Sequence, residues 1–394
     1  MEKDFTRNYL LYLFIFLGAL SAFPPLVTDM YLPALPAMTR DFNTSPSGIQ
    51  LGLALCIIGL AAGQLLFGPL SDKYGRRPVI GTALILFVAA TICCIFSTNI
   101  LAFNICRFFQ GLAGAGGVVL SRSIATDCYS GRELAKALAI IGAINGIAPV
   151  TAPVVGGLFA EAIGWKGIFC ILLGLGIFLL LFYLPFKESH LKEHRYTGSI
   201  TGLMKQGTTL LKNRTFLKFA ILFGLSNGVL FGYISSASFN LQNDFGLSEL
   251  MFGVVFAINS VAIGLGSMIS LKFRNLPDAI RCGGAGMLIC SAGMFAFHHF
   301  YPGLAGFEIC AFIILFCVGL VFPSATTIGM TEGKEMVGWA SAIIGATGFT
   351  FGGIIAPLVG IGNIQVTTYT SLLGCSLLIV LISAVKTNDS KIKK

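Results

Sequence analysis

Charged residues are scarce in this chain. They make up 11% of its 394 residues, whereas an average soluble domain carries about 25%. The sequence has no Gly-x-x-x-x-Gly-Lys-Ser/Thr loop, no Ser/His/Asp set and no His-Glu-x-x-His helix. These absences argue against an enzyme and against ATP-driven work. We accordingly predict that the protein has no cofactor and no metal site.

Apolar residues are abundant instead, with 55% hydrophobic types and a mean hydropathy of +0.85. About 20 apolar residues are needed to cross a bilayer, and the sequence contains twelve apolar runs of about that length. The first run lacks the pattern of a cleavable signal peptide and is interpreted as a transmembrane helix. Together the runs predict an all-α integral membrane protein with twelve transmembrane helices in two six-helix bundles. The runs lie at 10–27, 51–67, 79–96, 100–119, 135–159, 167–186, 216–234, 251–271, 282–297, 307–328, 340–358 and 369–385.

The basic residues predict the orientation. If both termini are cytoplasmic, all but Arg40, Arg107 and Lys166 of the 26 Lys and Arg fall on the cytoplasmic side or on the tails. The positive-inside rule favours this arrangement strongly over its reverse. The net charge of +9 is therefore interpreted as an orientation signal and not as a sign of nucleic-acid binding.

The chain is predicted to divide into residues 1–186, a linker at 187–215, and residues 216–394. Ile200, Leu203 and Leu210 recur at helical spacing in the polar linker, which predicts a short helix on the inner leaflet. The two halves also share sequence. Asp41-Phe42-x-x-Ser45 recurs from Asp244, and Ala152-Pro153-Val154-Val155-Gly156 recurs as Ala-Pro-Leu-Val-Gly from Ala356. Transporters built from such repeats bind substrate between the halves, near the bilayer midplane.

A polar string at 68–79 separates the second and third apolar runs. Gly75 and Pro78 are expected to break the helix there, and its basic residues place it at the cytoplasmic face. A generic basic anchor is one interpretation. The Gly-x-Leu-x-Asp-x-x-Gly-Arg-Arg order, however, resembles the loop between helices 2 and 3 of the major facilitator superfamily. On that resemblance, a gate is expected at Gly68, Asp72, Gly75, Arg76, Arg77 and Asp127. Arg76 should reach Asp127, and Asp72 should approach the start of helix 11 at 337–341 when the cytoplasmic side is shut.

Two ionisable residues lie at membrane depth in the first half. Arg107 stands alone in helix 4, so it either marks a functional site or pins neighbouring helices. Its Arg-x-x-Gln-Gly surroundings resemble the superfamily's helix-4 motif, in which the arginine is implicated in proton coupling. Asp29 ends helix 1 before Pro33 and Pro36, either half-buried or as an ordinary helix-end acid facing water.

The string from Thr28 to Pro36 resembles the helix-1 signature of drug:proton antiporters with twelve helices, in particular the Bcr/CflA subfamily. Asp29 and Arg107 are accordingly expected to couple transport to protons. A hinge is expected in helix 5 at Pro149, Pro153, Gly156 and Gly157. That stretch resembles the antiporter motif Gly-x-x-x-Gly-Pro-x-x-Gly-Gly, with Ala148 and Ala152 in place of the leading glycines.

Polar residues in the helices are the candidates for substrate contact, although buried amides often only bond helix to helix. They are Tyr31, Gln110, Asn145, Asn227, Tyr233 and Asn259. Glu308, near the outer end of helix 10, is expected to be a rim residue. The 34 phenylalanines do not by themselves reveal which ones line a pocket.

The resemblance implies a proton-coupled exporter of small amphipathic compounds in a bacterial inner membrane, using the proton gradient and no cofactor. Its partners would be a small-molecule substrate, protons and the bilayer, without nucleic acid, and the chain would act as a monomer. A transporter of one metabolite, such as an amino acid or a siderophore, remains an alternative. So does a membrane receptor or scaffold that binds without transporting.

Overall fold

The computed structural model describes residues 7–129, 131–198, 200–300 and 303–385, and within these ranges every regular element is helical. The α-helices are α1 (Arg7–Asp29), α2 (Leu35–Asp41), α3 (Pro46–Tyr74), α4 (Arg76–Phe96), α5 (Ile100–Cys128), α6 (Gly131–Tyr183), α7 (Ile200–Leu210), α8 (Arg214–Phe239), α9 (Glu249–Ser270), α10 (Leu276–Phe300), α11 (Leu304–Glu332), α12 (Val337–Leu358) and α13 (Ile364–Ala384). Short 3₁₀ turns lie at Leu32–Ala34, Lys192–His194 and Lys334–Met336, and a π-helical turn lies at Asn240–Asp244.

Eleven helical stretches among the described residues are long and apolar enough to cross a membrane. One of them belongs to α6, which runs for 53 residues but is broken at Gly164 (φ 67°, ψ −179°). An unbroken helix of that length would measure roughly 80 Å, far more than the hydrocarbon thickness of about 30 Å. α6 therefore supplies two crossings, and the predicted twelve segments are confirmed.

Side-chain caps fix where several of these helices begin. Ser45 accepts a hydrogen bond from the backbone N–H of Gly48 at the start of α3, and Ser248 does the same for Met251 at the start of α9. Asn99, Asn213 and Asn363 cap α5, α8 and α13 in the same way. Such caps satisfy N–H groups that have no partner within the helix. Ser45 and Ser248 are equivalent residues of the repeated Asp-Phe-x-x-Ser motif.

The polar string at 68–79 is more helical than expected. α3 continues through Tyr74 and α4 starts at Arg76, so the turn consists of Gly75 alone, at φ 100° and ψ 159°. The expectation that Pro78 breaks the helix was wrong, because Pro78 lies in the first turn of α4, where proline is tolerated and no N–H is needed. Gly75 is required at its position, since an L side chain rarely adopts that φ.

The two sides of the molecule differ. We call the side with the Gly75 turn, α7 and the end of α13 the basic face, and the side with the Ser45 and Ser248 caps the opposite face. The linker helix α7 lies at the basic face, with Gly207 against the ring of Trp339 in α12. Just beyond α7, Asn213 Nδ2 donates to Glu332 Oε2 at 3.3 Å.

The halves meet through two equivalent seams. In one, a Cβ on Gly253 of α9 would lie 2.6 Å from the Pro153 carbonyl of α6. In the other, Ser47 of α3 donates to the Pro357 carbonyl of α12 at 3.4 Å, and a Cβ on Gly360 would lie 2.7 Å from Ser47 N. Small residues allow this close helix packing. Both seams use the repeated Ala-Pro-x-Val-Gly segments.

Hydrogen bonds near the opposite face add to the seams. Ser238 Oγ donates to the Leu32 carbonyl at 2.6 Å, and Gln242 Nε2 donates to the Pro33 carbonyl at 2.8 Å. Leu250 N donates to Glu161 Oε1 at 3.1 Å. These bonds tie the first half to the second where the chain leaves α1 and where α9 begins.

The close packing of α6 against the end of α1, within the first half, gives a stability prediction. Gly156→Ala places a methyl group against the Met30 carbonyl, a contact that cannot form without a backbone shift, whereas nothing lies within 4 Å of a Cβ at Gly174 in the same helix. Overpacking of this kind costs roughly 1–3 kcal/mol. We expect Gly156→Ala to lower the melting temperature in detergent, followed by size-exclusion chromatography, and Gly174→Ala to leave it unchanged or slightly higher. Equal melting of the two variants would contradict this packing.

Candidate functional site

A cavity of about 720 Å³ lies between the halves. Its aromatic wall comes from the second half and consists of Phe223, Phe231, Tyr233, Phe256, Phe322 and Phe349. Its polar groups include Asp29, Gln64 and Arg122 from the first half. The size and the mixture of apolar walls with few polar groups suit a drug-sized organic molecule.

The seams close the cavity toward the opposite face, while Arg122 and Met330 line it near the basic-face ends of α5 and α11. α3 and α12 remain in contact as far as Gln64 and Gly345. Beyond that point, no hydrogen bond or ion pair among the described residues joins Asp72 to the first turn of α12.

Asp29 is the acid on the cavity wall. It is the last residue of α1 and is only 5% exposed. Among the described residues, no Lys, Arg or His nitrogen lies within 4.0 Å of its carboxylate. Asp29 is thus an enclosed, unpaired acid and not a helix-end acid facing bulk water.

Arg107 stabilises the end of α1 by bonding to one of its last carbonyl groups. Pro33 has no N–H to continue the helix, and Arg107 Nη2 donates to the Val27 carbonyl at 3.0 Å. The guanidinium is 0% exposed, donates to Gln110 Oε1 through Nη1, and lies 4.3 Å from the ring centre of Tyr31. A buried cation is tolerable only with such hydrogen bonds and ring contacts.

Arg107 does not form an ion pair with Asp29. Its described polar contacts are the Val27 carbonyl and Gln110, and it does not line the cavity. The two residues, expected to act as an ionisable pair, are linked through the backbone of the α1 end instead. Arg107 holds the residue two positions before Asp29.

Two of the substrate candidates are placed differently from expectation. Tyr31 and Gln110 are both 0% exposed and do not line the cavity. Tyr31 lies under the Arg107 guanidinium, and Gln110 bonds to Arg107 while donating to Thr91 Oγ1 at 2.8 Å. They are absent from the cavity wall because the buried guanidinium needs their ring face and carbonyl.

Three other candidates do line the cavity: Asn227, Tyr233 and Asn259, all from the second half. The side chain of Asn145 lies outside the described residues. Asn227 Nδ2 also donates to the Phe223 carbonyl at 3.0 Å, so this amide both packs the helix and faces the cavity.

Glu308 is not the simple rim residue that the sequence suggests. Its Oε2 accepts a hydrogen bond from Asn259 Nδ2 at 2.7 Å, and the same nitrogen lies 2.6 Å from the Tyr233 hydroxyl. Its position, the fifth residue of α11, gave no signal of this contact, because the contact depends on how α9 packs against α11.

The expected gate residues form a network at the basic face. Arg76 Nε donates to Asp127 Oδ2 at 2.9 Å, and Arg76 Nη1 lies 2.5 Å from Asp72 Oδ1. Arg76 is only 6% exposed, so these are charge-assisted bonds in a partly buried site. Arg77 lies at the surface, with its guanidinium 5.9 Å from the Tyr183 ring centre. A Cβ on Gly68 would meet only Val119, at 3.8 Å, so glycine is not sterically required there.

Glu188 is a member of this network that the sequence did not single out. Its carboxylate accepts from the backbone N–H groups of Arg76 at 2.9 Å and Arg77 at 3.2 Å, so it caps α4. It also pairs with Arg195 at 3.3 Å. A carboxylate at a helix N-terminus is favoured by the helix dipole. The first part of the linker is thereby fastened to the Gly75 turn.

The expected hinge residues lie on a helix that remains continuous around them. Pro149 and Pro153 lie inside α6, whose non-helical residue is Gly164. Pro149 lines the cavity. Gly156 packs against the Met30 carbonyl and Gly157 against the Glu249 carbonyl. A hinge role for these four residues stays a prediction.

Two similar helical bundles around a central cavity are the architecture of membrane transporters built from repeats. The family model described as Major Facilitator Superfamily matches residues 15–357, and the chain belongs to that superfamily. The prediction that it is a transporter and not an enzyme is thereby confirmed.

Several relatives resemble it along most of its length. The Bacillus subtilis protein named "Uncharacterized MFS-type transporter YdgK" is 36% identical over 353 residues, 88% of each chain. A bicyclomycin resistance protein homolog of Haemophilus influenzae is 29% identical over 87% of each chain. A chloramphenicol resistance protein of Pseudomonas aeruginosa is 28% identical over 91% of this chain and 85% of its own. These names agree with the predicted drug:proton antiporter group of the superfamily.

Solved structures agree on the fold. The nucleoside transporter NupG superposes with a TM-score of 0.73 at 16% identity, covering 94% of this chain and 98% of its own. The xylose transporter XylE from E. coli gives 0.70 at 15% identity, covering 98% and 99%.

The geometry around Arg107 gives a second prediction. Because a lysine ammonium cannot bond the Val27 carbonyl and Gln110 while lying flat on Tyr31, we expect Arg107→Lys to lose transport, by at least about tenfold, nearly as Arg107→Ala does. The matched control is Arg281→Lys, an exposed arginine on α10, which should keep full rates. Both are compared as the transport rate per transporter at equal membrane expression. Full activity of Arg107→Lys would show that charge alone matters there.

Proposed function

We propose that this transporter exports small amphipathic organic compounds in exchange for protons, by alternating access. The observation that carries the proposal is the position of Asp29: an unpaired acid on the wall of the aromatic cavity, at the end of a helix held by Arg107. An enclosed carboxylate without a cation can bind a proton or a substrate, and competition between the two couples their movements.

The charge distribution supports an orientation in the membrane. The positive-inside rule favours a cytoplasmic basic face with both termini inside. The cavity would then take substrate from the cytoplasmic side, with Asp29 deprotonated. Protonation of Asp29 from outside would favour release, and the halves would rock about the seams. Residues 1–186 and 216–394 would move as two bodies joined by 187–215.

The energy source and setting follow from the same reasoning. Without a nucleotide-binding loop, the chain would use the proton gradient, in which one charge crossing is worth about 2.3 kcal/mol per 100 mV. The bacterial relatives favour an inner-membrane location, and the cavity lies within one chain, which favours a monomer. The relatives named for bicyclomycin and chloramphenicol resistance support a drug-like substrate.

Counterflow in liposomes separates this proposal from its rivals. A non-transporting receptor or scaffold would show no counterflow. A transporter of one metabolite would exchange that compound and fail with a broad panel of drugs, and a growth-inhibition screen of expressing cells tells these two apart.

Asp29→Asn tests the coupling. Since the amide cannot exchange a proton, we expect drug-driven proton release to be abolished while the protein remains folded and inserted. The measurement is the external pH change on adding chloramphenicol to proteoliposomes. Asp278→Asn, at an exposed carboxylate on α10, should behave as the parent. Undiminished proton release in Asp29→Asn would remove Asp29 from the mechanism.

Asp72→Asn tests the gate. When the cytoplasmic side shuts, the Asp72 carboxylate should meet the N-terminus of α12, an interaction worth about 0.3–2 kcal/mol. Without it, the cytoplasm-open form should gain population, and Ser341→Cys in the cavity should label faster in inside-out vesicles than in the same background with Asp72 intact. Protein lacking the Ser341→Cys change corrects for native cysteines. Equal labelling and equal transport would reduce the turn to a membrane anchor.

A further inference from the structure

A second acidic group is connected to the cavity from the other half. Tyr233 and Asn259 lie on the cavity wall. Behind them, Asn259 Nδ2 donates to Glu308 Oε2 at 2.7 Å and lies 2.6 Å from the Tyr233 hydroxyl. A hydrogen-bonded path therefore runs from the cavity to a carboxyl group near the opposite-face end of α11.

This carboxyl group is only half satisfied. Its Oε1 is buried and has no hydrogen-bond partner in the part of the chain that the structure describes. Nor does any described Lys, Arg or His nitrogen lie within 4.0 Å of it. A buried polar oxygen without a partner is costly, and a proton is the smallest group that can satisfy it.

Glu249 also has a buried carboxylate oxygen without a hydrogen-bond partner, but among the described residues no hydrogen bond joins its side chain to Tyr233, Asn259 or Glu308. Of the titratable groups on the elements packed around this end of α11, only Tyr233 is joined to Glu308 by hydrogen bonds. The others are Asp244, Glu249, Cys290, His298, His299 and Tyr369, with Cys310 on α11 itself. Neither Asn259 nor Tyr233 carries a carboxyl group, so the linked site has one carboxylic acid and a direct link to the cavity.

We propose that Glu308 is a second proton-exchanging carboxyl of the transport cycle, and that Asn259 and Tyr233 report cavity occupancy to it. This rests on the proposed proton exchange and extends it from the first half to the second. In the step, the carboxyl O–H bond breaks, a water molecule at the carboxyl group takes the proton, and the carboxylate is held by the Asn259 amide. A substrate that bonds to Tyr233 or Asn259 changes that amide's geometry and hence proton binding at Glu308.

Infrared difference spectroscopy of the full-length protein in detergent measures the protonated carboxyl directly, without a known substrate. Spectra are recorded across a pH titration for the parent, Glu308→Gln and Glu193→Gln, the last at an exposed linker residue. We expect Glu308→Gln to lose a titrating component of the protonated-carboxyl band that Glu193→Gln retains. A band in Glu308→Gln that titrates like the parent's overturns the proposal.

Asn259→Ala keeps the carboxyl and covers the case in which Glu308→Gln does not fold. It should move the Glu308 titration by about one pH unit, a tenfold change in proton affinity, and no movement contradicts the proposed link. Tetraphenylphosphonium and chloramphenicol serve as probes of the link to the cavity. Either probe should shift the Glu308 band in the parent and not in Asn259→Ala; no shift in the parent rejects the reporting role.

The two proposals fail in different ways. If the parent shows no proton exchange in liposomes, the antiport proposal fails whatever the spectra show. If Asp29→Asn abolishes all substrate-driven proton release and Glu308→Gln leaves it unchanged, antiport stands and Glu308 is only a link between α9 and α11. Fewer protons released per substrate in Glu308→Gln, with Asp29 intact, support a second proton.

Discussion

The first half is organised around one buried cation. The Arg107 guanidinium is fully enclosed at membrane depth, where an unpartnered charge would cost several kcal/mol. Its hydrogen-bonding requirements fix the arrangement of its neighbours. The Val27 carbonyl accepts from the guanidinium and not from a backbone N–H of the helix, the Gln110 side chain turns inward, and Tyr31 contacts the guanidinium with its ring face. Because the end of α1 is held there, Asp29 is directed to the cavity. One charge thus places another without touching it.

The two seams between the halves are formed by the repeated segments of the sequence. Each Ala-Pro-x-Val-Gly segment presents a surface with few bulky side chains, so the start of a helix from the other half contacts its backbone. Both copies lie toward the opposite face, which leaves the cavity accessible from the basic face. At the basic face, Arg76, Asp127 and Glu188 bond within the first half and its adjoining linker, so this gate network does not clamp the halves together in this conformation.

The linker connects the gate to the second half. Glu188 caps α4 on one side, while the segment after α7 bonds to Glu332 on the other. A movement between the halves must therefore strain or release the stretch between these attachments. The sequence showed only a polar, amphipathic stretch here, because capping by a residue 112 positions away has no local signature.

The sequence by itself determined the number of crossings, the orientation preference, the pseudo-repeat and the identity of Asp29 and Arg107 as the unusual charges. These follow from hydropathy, turn chemistry and the cost of charge in hydrocarbon, which are local properties. Only the tertiary structure decided which polar groups face the cavity. Tyr31 and Gln110 contact Arg107 and do not line the cavity. Tyr233 and Asn259 lie on the cavity wall, and Glu308 accepts a hydrogen bond from Asn259. Helix rotation and packing set these outcomes. The sequence would be the same if each helix were rotated by half a turn about its axis, so it does not show which of these side chains face the cavity.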